Sequence, residues 1–360
     1  MGGSSDGAGG VVGVDTVVLP RVPPGLAGSD GLFSNIRPHR TLSEQPICCL
    51  AIDAEEDFDW NRPVRDTGYS TECMRHVTDL REILAAYGLR PTYLLTYPVL
   101  EDPDVVRMLR GQWERGHCEL GVQLHPWVTP PFEGSVDHGS YLCNLDPATE
   151  ERKLVKLTGR FQDVFGVAPV TFRAGRYGLS RSTTHLLERH GFTVDTSLAP
   201  RTNFGPFGGP DFSEYDCQPF WFGERRALLE MPLCRGVVGW SRQLAPWLYG
   251  LAVQGPLAQV RAASVLSRTR CAERVTLSPE GNDFAAMRRF LSRRQALGQR
   301  VFSISFHSSS LWPGRNPYVR SRPELHEFYD RLSAVLTAMA DDGFRFATLA
   351  EMPGLLGMAE

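Results

Sequence analysis

Short apolar runs that alternate with amphipathic stretches constrain this chain more than any other feature. Residues 47–52 form a continuous apolar run that ends in acids, which predicts a strand buried on both faces of a parallel sheet. Helical spacing of apolar residues follows over 72–87, and a second strand is predicted at 92–97. The alternation continues through a predicted strand at 119–124 and a predicted helix at about 147–165 to a last predicted strand at 345–348. Such alternation is typical of β/α crossover units, so we expect an α/β fold.

The 360 residues divide into a core and segments that differ from it in composition. Residues 1–44 are rich in Gly, Ser and Pro and have little apolar periodicity, which predicts a disordered leader. We expect a single barrel domain at 45–352 and a tail at 353–360. Inside the domain, 199–232 interrupt the alternation with clustered glycine and proline, and we interpret them as a long insertion over the barrel mouth.

Charge and hydropathy narrow the range of partners. A formal net charge of -3 gives no strong basic field, so nucleic acid is not an expected partner. No segment approaches the roughly 18 unbroken apolar residues of a membrane span, and the first residues lack a signal-peptide pattern. We therefore expect a cytoplasmic protein with a small or neutral ligand, and the sequence does not indicate an oligomeric state.

Reactive side chains follow several of the predicted strands. The first strand ends in the acids of 53–59, and later strands end at His125, Arg173 and His307. Each has an ordinary explanation: a solvated turn, a core histidine or an ion-pair partner. Because the carboxyl ends of parallel strands meet at one edge of a sheet, their joint occurrence predicts a shared site.

The order of these motifs resembles the polysaccharide deacetylases, also called NodB-homology deacetylases. The matching segments are IDAEEDFDW at 52–60, LHPW at 124–127, FRAGR at 172–176 and HSSSL at 307–311, and they are most similar to the WalW-like branch. The resemblance covers about residues 47–350. It implies a distorted (β/α)7-type barrel and a metal-dependent hydrolase that removes an N-acetyl group from an amino sugar or glycoconjugate.

The resemblance also implies roles for individual residues. Asp53 matches the catalytic base, Arg173 the arginine that orients it, and His307 the general acid. The metal ligands are Glu55 and His125, and the expected substrate-binding residues are Trp127, Arg176, Tyr177 and Trp312. These residue types suit amide hydrolysis, since a cation polarises the carbonyl, a carboxylate takes a proton from water, and an imidazole protonates the leaving amine.

One position departs from the family pattern. The second histidine of the His-x-x-x-His motif is replaced by Thr129. Zinc or a similar divalent metal would then have two clear ligands, and a third could come from His138, Asp57 or water. Glu56 and Asp57 are the alternative acids if the first strand ends earlier.

Two other functions stay open at this point. A glycosidase would use two of the acids between Asp53 and Asp59, but such carboxylates lie about 5–10 Å apart on opposite sides of the substrate, which neighbours on one strand end rarely achieve. A non-catalytic or metal-poor carbohydrate-binding relative would keep the barrel without the reaction.

Overall fold

The computed structural model describes residues 31–42, 44–60, 64, 67–132, 140–224, 227–240, 244–252 and 262–358. In chain order the strands are β1 (Arg37–Thr41), β2 (Ile47–Ala54), β3 (Thr92–Leu95), β4 (Glu119–Leu124), β5 (Thr171–Ala174), β6 (Val194–Asp195), β7 (Phe220–Phe222), β8 (Leu228–Glu230), β9 (Arg235–Val238), β10 (Glu273–Thr276), β11 (Val301–His307), β12 (Arg345–Phe346) and β13 (Leu356–Met358).

The helices are mostly on the crossovers between strands. They are α1 (Arg81–Ala85), α2 (Tyr97–Glu101), α3 (Pro103–Glu114), α4 (Pro147–Phe165), α5 (Arg181–Arg189), α6 (Leu244–Ala252), α7 (Ala262–Arg268), α8 (Phe284–Ala296), α9 (Arg322–Asp341) and α10 (Met352–Leu355). Single turns of 3-10 helix also occur, and one longer 3-10 helix, Glu72–Leu80, leads directly into α1.

One curled sheet forms the centre of the molecule. Its strand order is β11-β2-β3-β4-β5-β6-β8-β7-β1-β13, and β12 also pairs with β2. The strands from β11 to β8 in this order are parallel, whereas β7, β1 and β13 are antiparallel to their neighbours. The predicted α/β fold class, with one curled sheet built mainly of parallel strands, is confirmed.

The apolar pattern explains the position of the elements. Every residue of β2 is buried, as expected for a parallel strand covered on both faces. Helix α4 has the predicted bounds and turns Leu154, Leu157 and Phe161 toward the core. Each such large side chain contributes about 1.5–3 kcal/mol when it is fully buried. Asp146 caps the first turn of α4, since its carboxylate accepts from the backbone N–H of Thr149 at 3.0 Å.

Two terminal segments differ from the prediction. Of the predicted leader, 1–30 lie outside the described residues, but β1 pairs with both β7 and β13, so 37–41 are part of the sheet. Phe33 is buried, and its ring centroid lies 4.9 Å from those of Phe220 and Phe222. The predicted tail likewise supplies β13. Both segments are held by long-range pairing, which their own composition does not reveal.

The stretch 199–232, predicted as an insertion over the barrel mouth, has two parts. Its first part is a loop that places Phe204 and Phe207 at the pocket described below. Its second part supplies β7 and β8, and β8 continues the parallel run beside β6. These strands are three residues each, too short for a periodic signal to be read from the sequence.

Within the described ranges, no helix combines the length and the apolar character that crossing a bilayer requires.

Candidate active site

Asp53 and His307 lie side by side at the carboxyl edge of the sheet. They are direct partners in the register of the neighbouring parallel strands β2 and β11. Asp53 Oδ2 is 3.6 Å from His307 Nε2. Both residues line one pocket, and Asp53 is buried. The two strands thus place a carboxylate and an imidazole within reach of one substrate atom.

Arg173 holds the other oxygen of this aspartate. Its guanidinium donates to Asp53 Oδ1, to the hydroxyl of Ser305 at 3.0 Å and to the backbone carbonyl of Thr196 at 3.0 Å. Arg173 is fully buried, so its charge and that of Asp53 compensate each other in a place that excludes water. Oδ2 of Asp53 stays directed toward His307 and the pocket.

Glu280 holds His307 in a corresponding way. Its carboxylate accepts from His307 Nδ1 at 2.9 Å and from the backbone N–H of His307 at 2.9 Å, and the Ser310 hydroxyl donates to it. Burial alone would lower the pKa of His307, but Glu280, Glu55 and Asp53 outweigh it and raise the pKa to about 10. The imidazole is therefore cationic at neutral pH, with Nε2 on the side of Asp53.

A second acid–imidazole group lies next to the first. His125 Nε2 is 3.6 Å from Glu55 Oε2, while His125 Nδ1 is 2.8 Å from Glu56 Oε1. The indole N–H of Trp127 donates to the same Glu56 oxygen at 3.1 Å, and its ring stacks on His125 at 4.1 Å. Glu56 and Trp127 thus fix the orientation of the imidazole and leave Nε2 directed at Glu55.

The Glu55–His125 pair has the chemistry of a cation site. Burial raises the pKa of Glu55 well above its usual value, and Glu55 Oε1 is buried with no hydrogen-bond partner among the described residues. A carboxylate oxygen and an imidazole nitrogen are ordinary ligands of zinc and similar metals. The hydrogen bond from the far side of the imidazole is also typical of a metal-ligating histidine. The two residues therefore fit a divalent cation as a pair of donors.

A third protein donor is not found in the described ranges, where no group of three His, Cys, Asp or Glu residues is placed to hold a metal ion. Thr129 is fully buried and does not line the pocket. Asp57 accepts from Ser70 and from the backbone N–H of Cys73, away from the pocket. The further candidate, His138, lies outside the described residues.

Aromatic rings form much of the wall of this pocket, which has a volume of about 570 Å³. Trp60 meets His307 edge-on, with ring centroids 4.9 Å apart. Of the expected substrate-binding residues, Trp127, Arg176 and Tyr177 line the pocket. Trp312 does not: its ring packs at 5.6 Å from His76 and under the Arg315 guanidinium at 4.0 Å. Such walls suit the apolar faces of sugar rings.

The sequence analysis missed two charged residues of the pocket, Glu280 and Arg235. Glu280 follows β10, and Arg235 begins β9, the partner of β10 in a small separate sheet. Each of these strands has four residues, RGVV in β9 and ERVT in β10, with neither a continuous apolar run nor a regular polar–apolar alternation. The sequence therefore carries no clear strand signal that could have indicated Arg235 or Glu280.

No protein-family model matches the chain, and no curated protein matches it. Several solved structures have a backbone similar to that of this protein. A protein from Mycobacterium smegmatis assigned to the polysaccharide deacetylases is 19% identical, with 87% of this chain and 98% of that chain aligned and a TM-score of 0.46. The peptidoglycan N-acetylglucosamine deacetylase Bc1960 is 13% identical over 88% of this chain and 90% of its own, with a TM-score of 0.40.

The PuuE allantoinase is 12% identical over 85% of this chain and 88% of its own, with a TM-score of 0.47. Identities of 12–19% do not define the side chains of a site.

Proposed function

We propose that this protein is a metal-dependent hydrolase that removes an N-acetyl group from an amino sugar or glycoconjugate. The observation that carries the proposal is the pair Asp53 and His307, 3.6 Å apart on neighbouring strands, with Asp53 held by Arg173 and His307 held by Glu280. This gives an anionic base and a cationic acid at the floor of one pocket. Amide hydrolysis needs both in a single turnover.

Asp53 and His307 have complementary parts in this reaction. Asp53 Oδ2, the oxygen not bound to Arg173, takes a proton from the attacking water. The carbon–nitrogen bond of the amide breaks after the water oxygen has bonded to the carbonyl carbon, and His307 Nε2 gives its proton to the leaving amine. Acetate and a free amino sugar are the products. Bound to Glu55 and His125, a divalent cation would polarise the amide carbonyl as a Lewis acid.

The product identifies the reaction. Purified protein is incubated with N-acetylglucosamine oligomers and the metal, and acetate and new reducing ends are both measured. We expect acetate without new reducing ends, and a loss of about 100- to 10,000-fold in the Asp53→Asn variant. New reducing ends without acetate would contradict the proposal and favour a glycosidase.

A second candidate, a carbohydrate-binding protein without catalysis, is favoured by the presence of only two metal donors among the described residues. Metal content after dialysis separates the two. An enzyme should retain a metal that the His125→Ala variant loses together with acetate release. Oligomer binding without metal retention or acetate release would favour the binding protein. A cytoplasmic location and a place in the WalW-like branch stay predictions.

A further inference from the structure

Two arginines face the pocket of Asp53 and His307, and neither has an acidic partner among the residues that the structure describes. Arg176 and Arg235 both line this pocket. In the part of the chain that the structure describes, the side-chain hydrogen bonds of both guanidinium groups go to hydroxyl oxygens and none goes to a carboxylate. Of the acids that line the pocket, Asp53 contacts Arg173, Glu280 contacts His307, and Glu55 contacts His125.

Arg235 is held rigidly at the pocket wall. Its Nε donates to the Thr276 hydroxyl at 2.9 Å, and its NH1 donates to the Thr202 hydroxyl at 2.7 Å. Burial lowers the pKa of Arg235, and the nearby Arg274 lowers it further. Removing a cation from water without an opposite charge is costly. A ligand that brings a negative charge would remove this cost.

Arg176 is oriented in a comparable way by residues that carry no charge. Its guanidinium lies 4.2 Å above the ring of Tyr141, and it donates to the Ser140 hydroxyl at 2.7 Å and to the Tyr141 hydroxyl at 3.1 Å. Its backbone has a φ of 52°, and Tyr177 follows with 59°. Consecutive left-handed residues other than glycine cost free energy and occur preferentially at functional sites.

We infer that the substrate carries a phosphate or carboxylate group in addition to the N-acetyl group, and that Arg235 and Arg176 bind this anion. The inference rests on the proposed function and specifies its substrate class. Planar guanidinium groups match the oxygen spacing of both anions, which is why arginine is the usual residue for them. Neutral polymers of N-acetylglucosamine would leave the half-buried charge of Arg235 without an opposite charge.

Equilibrium binding tests the inference in the full-length Asp53→Asn variant, which keeps the pocket and slows turnover. The probes are N-acetylglucosamine 1-phosphate, 2-acetamido-2-deoxyglucuronic acid and neutral N-acetylglucosamine. Charge-assisted hydrogen bonds predict about 10- to 100-fold tighter binding of at least one anionic sugar than of the neutral sugar. The sugar that binds tighter distinguishes phosphate from carboxylate. Arg235→Gln in the same background should weaken the binding of the preferred anionic sugar more than that of the neutral sugar.

Arg274→Gln is the matched control, because Arg274 lies on the adjacent β10, contacts the backbone carbonyl of Arg201 and does not line the pocket. It should keep the preference. Equal binding of all three sugars, binding of none of them, or an equal loss for all three in Arg235→Gln would overturn the inference. Acetate release by the native protein is measured as well, so that failure of the anion-site inference can be distinguished from failure of the proposed deacetylase function. Acetate without any preference for anionic sugars refutes the anion site alone, and anion preference without acetate refutes the deacetylase alone.

Discussion

At the scale of single residues, each imidazole of the site is oriented by a carboxylate that binds its Nδ1. Glu280 binds Nδ1 of His307, so Nε2 is directed to Asp53, and Glu56 does the same for His125 with respect to Glu55. Such partners decide which nitrogen carries out the chemistry and in which charge state it does so.

The charge of His307 predicts a pH dependence. Because His307 must be protonated to act as an acid, activity should persist at alkaline pH up to a pKa of about 10. Removing the negative charge in Glu280→Gln should lower the pKa of His307 and move the alkaline limb of kcat/KM down by about two pH units. The profile is measured on the proposed substrates between pH 6 and 11.

The control for this change is Glu273→Gln, because Glu273 forms an ion pair with Arg289 at 3.0 Å and does not line the pocket. Its profile should match that of the native protein. An unchanged alkaline limb in Glu280→Gln would contradict the role given to this pair.

Gly175, directly after β5, packs closely against His125. A Cβ at Gly175 would lie 2.5 Å from Cδ2 of His125 and 2.6 Å from the Leu124 carbonyl oxygen. Gly175→Ala should therefore displace His125 and reduce acetate release about 100-fold, as expected for a misplaced catalytic group. Gly159→Ala in α4 is the control, since nothing lies within 4 Å of the added methyl. It should stabilise the protein by about 0.5–1 kcal/mol and leave the rate unchanged, whereas equal rates in both variants would exclude steric control of His125.

At the scale of elements, the contact between α4 and α5 contains a buried acid. Glu150 of α4 accepts a hydrogen bond from Thr183 of α5 and is buried, and burial raises its pKa to about 7. The folded protein thus binds this proton more tightly than the unfolded chain. The resulting stability is fully present below the usual glutamate pKa near 4.5 and is lost as the pH rises through about 7.

Glu150→Gln should remove the loss of folding stability that the native protein shows as the pH rises through about 7. The variant should be more stable than the native protein at pH 8 by up to about 3 kcal/mol, and the difference should vanish at pH 4. Urea unfolding at both pH values measures it. Glu114 is exposed, and Glu114→Gln is the control, which should change the stability by the same small amount at pH 8 and at pH 4. If Glu150→Gln also changed the stability equally at both pH values, ionisation of Glu150 in the folded protein would have no cost.

Some elements of the fold could be predicted from the sequence, and others could not. Strand β4 has the predicted bounds, and so does helix α4, which has 19 residues with apolar side chains at helical spacing. The strand predicted at 92–97 ends at Leu95, because Pro98 at the start of α2 favours a new helix there. Short strands such as β7 and β8 depend on their neighbours in the sheet, and no local pattern reports them.

The site was predictable to a similar extent. The sequence placed Asp53, Glu55, His125, Arg173 and His307 at strand ends, and the structure brings them together at one edge of the sheet. It did not indicate Glu280 or Arg235, because both belong to or follow strands of a separate small sheet with a weaker pattern. The direction of Trp312, away from the pocket, depends on packing against His76, which residue spacing does not encode.

At the scale of the whole molecule, the sheet joins both ends of the described chain. Strand β1 lies between β7 and β13, and Phe33 packs at 5.9 Å from Tyr215 as well as against two phenylalanines. Phe33→Ala should therefore lower the free energy of unfolding by about 3–5 kcal/mol, as for other buried aromatic residues. Exposed Phe207, replaced by Ala, provides the control, with a change near zero. A negligible effect of Phe33→Ala would show that the segment before β2 behaves as the leader that its composition suggested.

The central claim is that Asp53 and His307 act together on one substrate, and the acetate-release rate of their double variant tests it most directly. Groups that act as a unit lose most of the rate with the first substitution. The account predicts that Asp53→Asn and His307→Gln each reduce kcat at least about 100-fold, and that the double variant is within about tenfold of the slower single variant. Losses that multiply, or a single variant with the native rate, would contradict it.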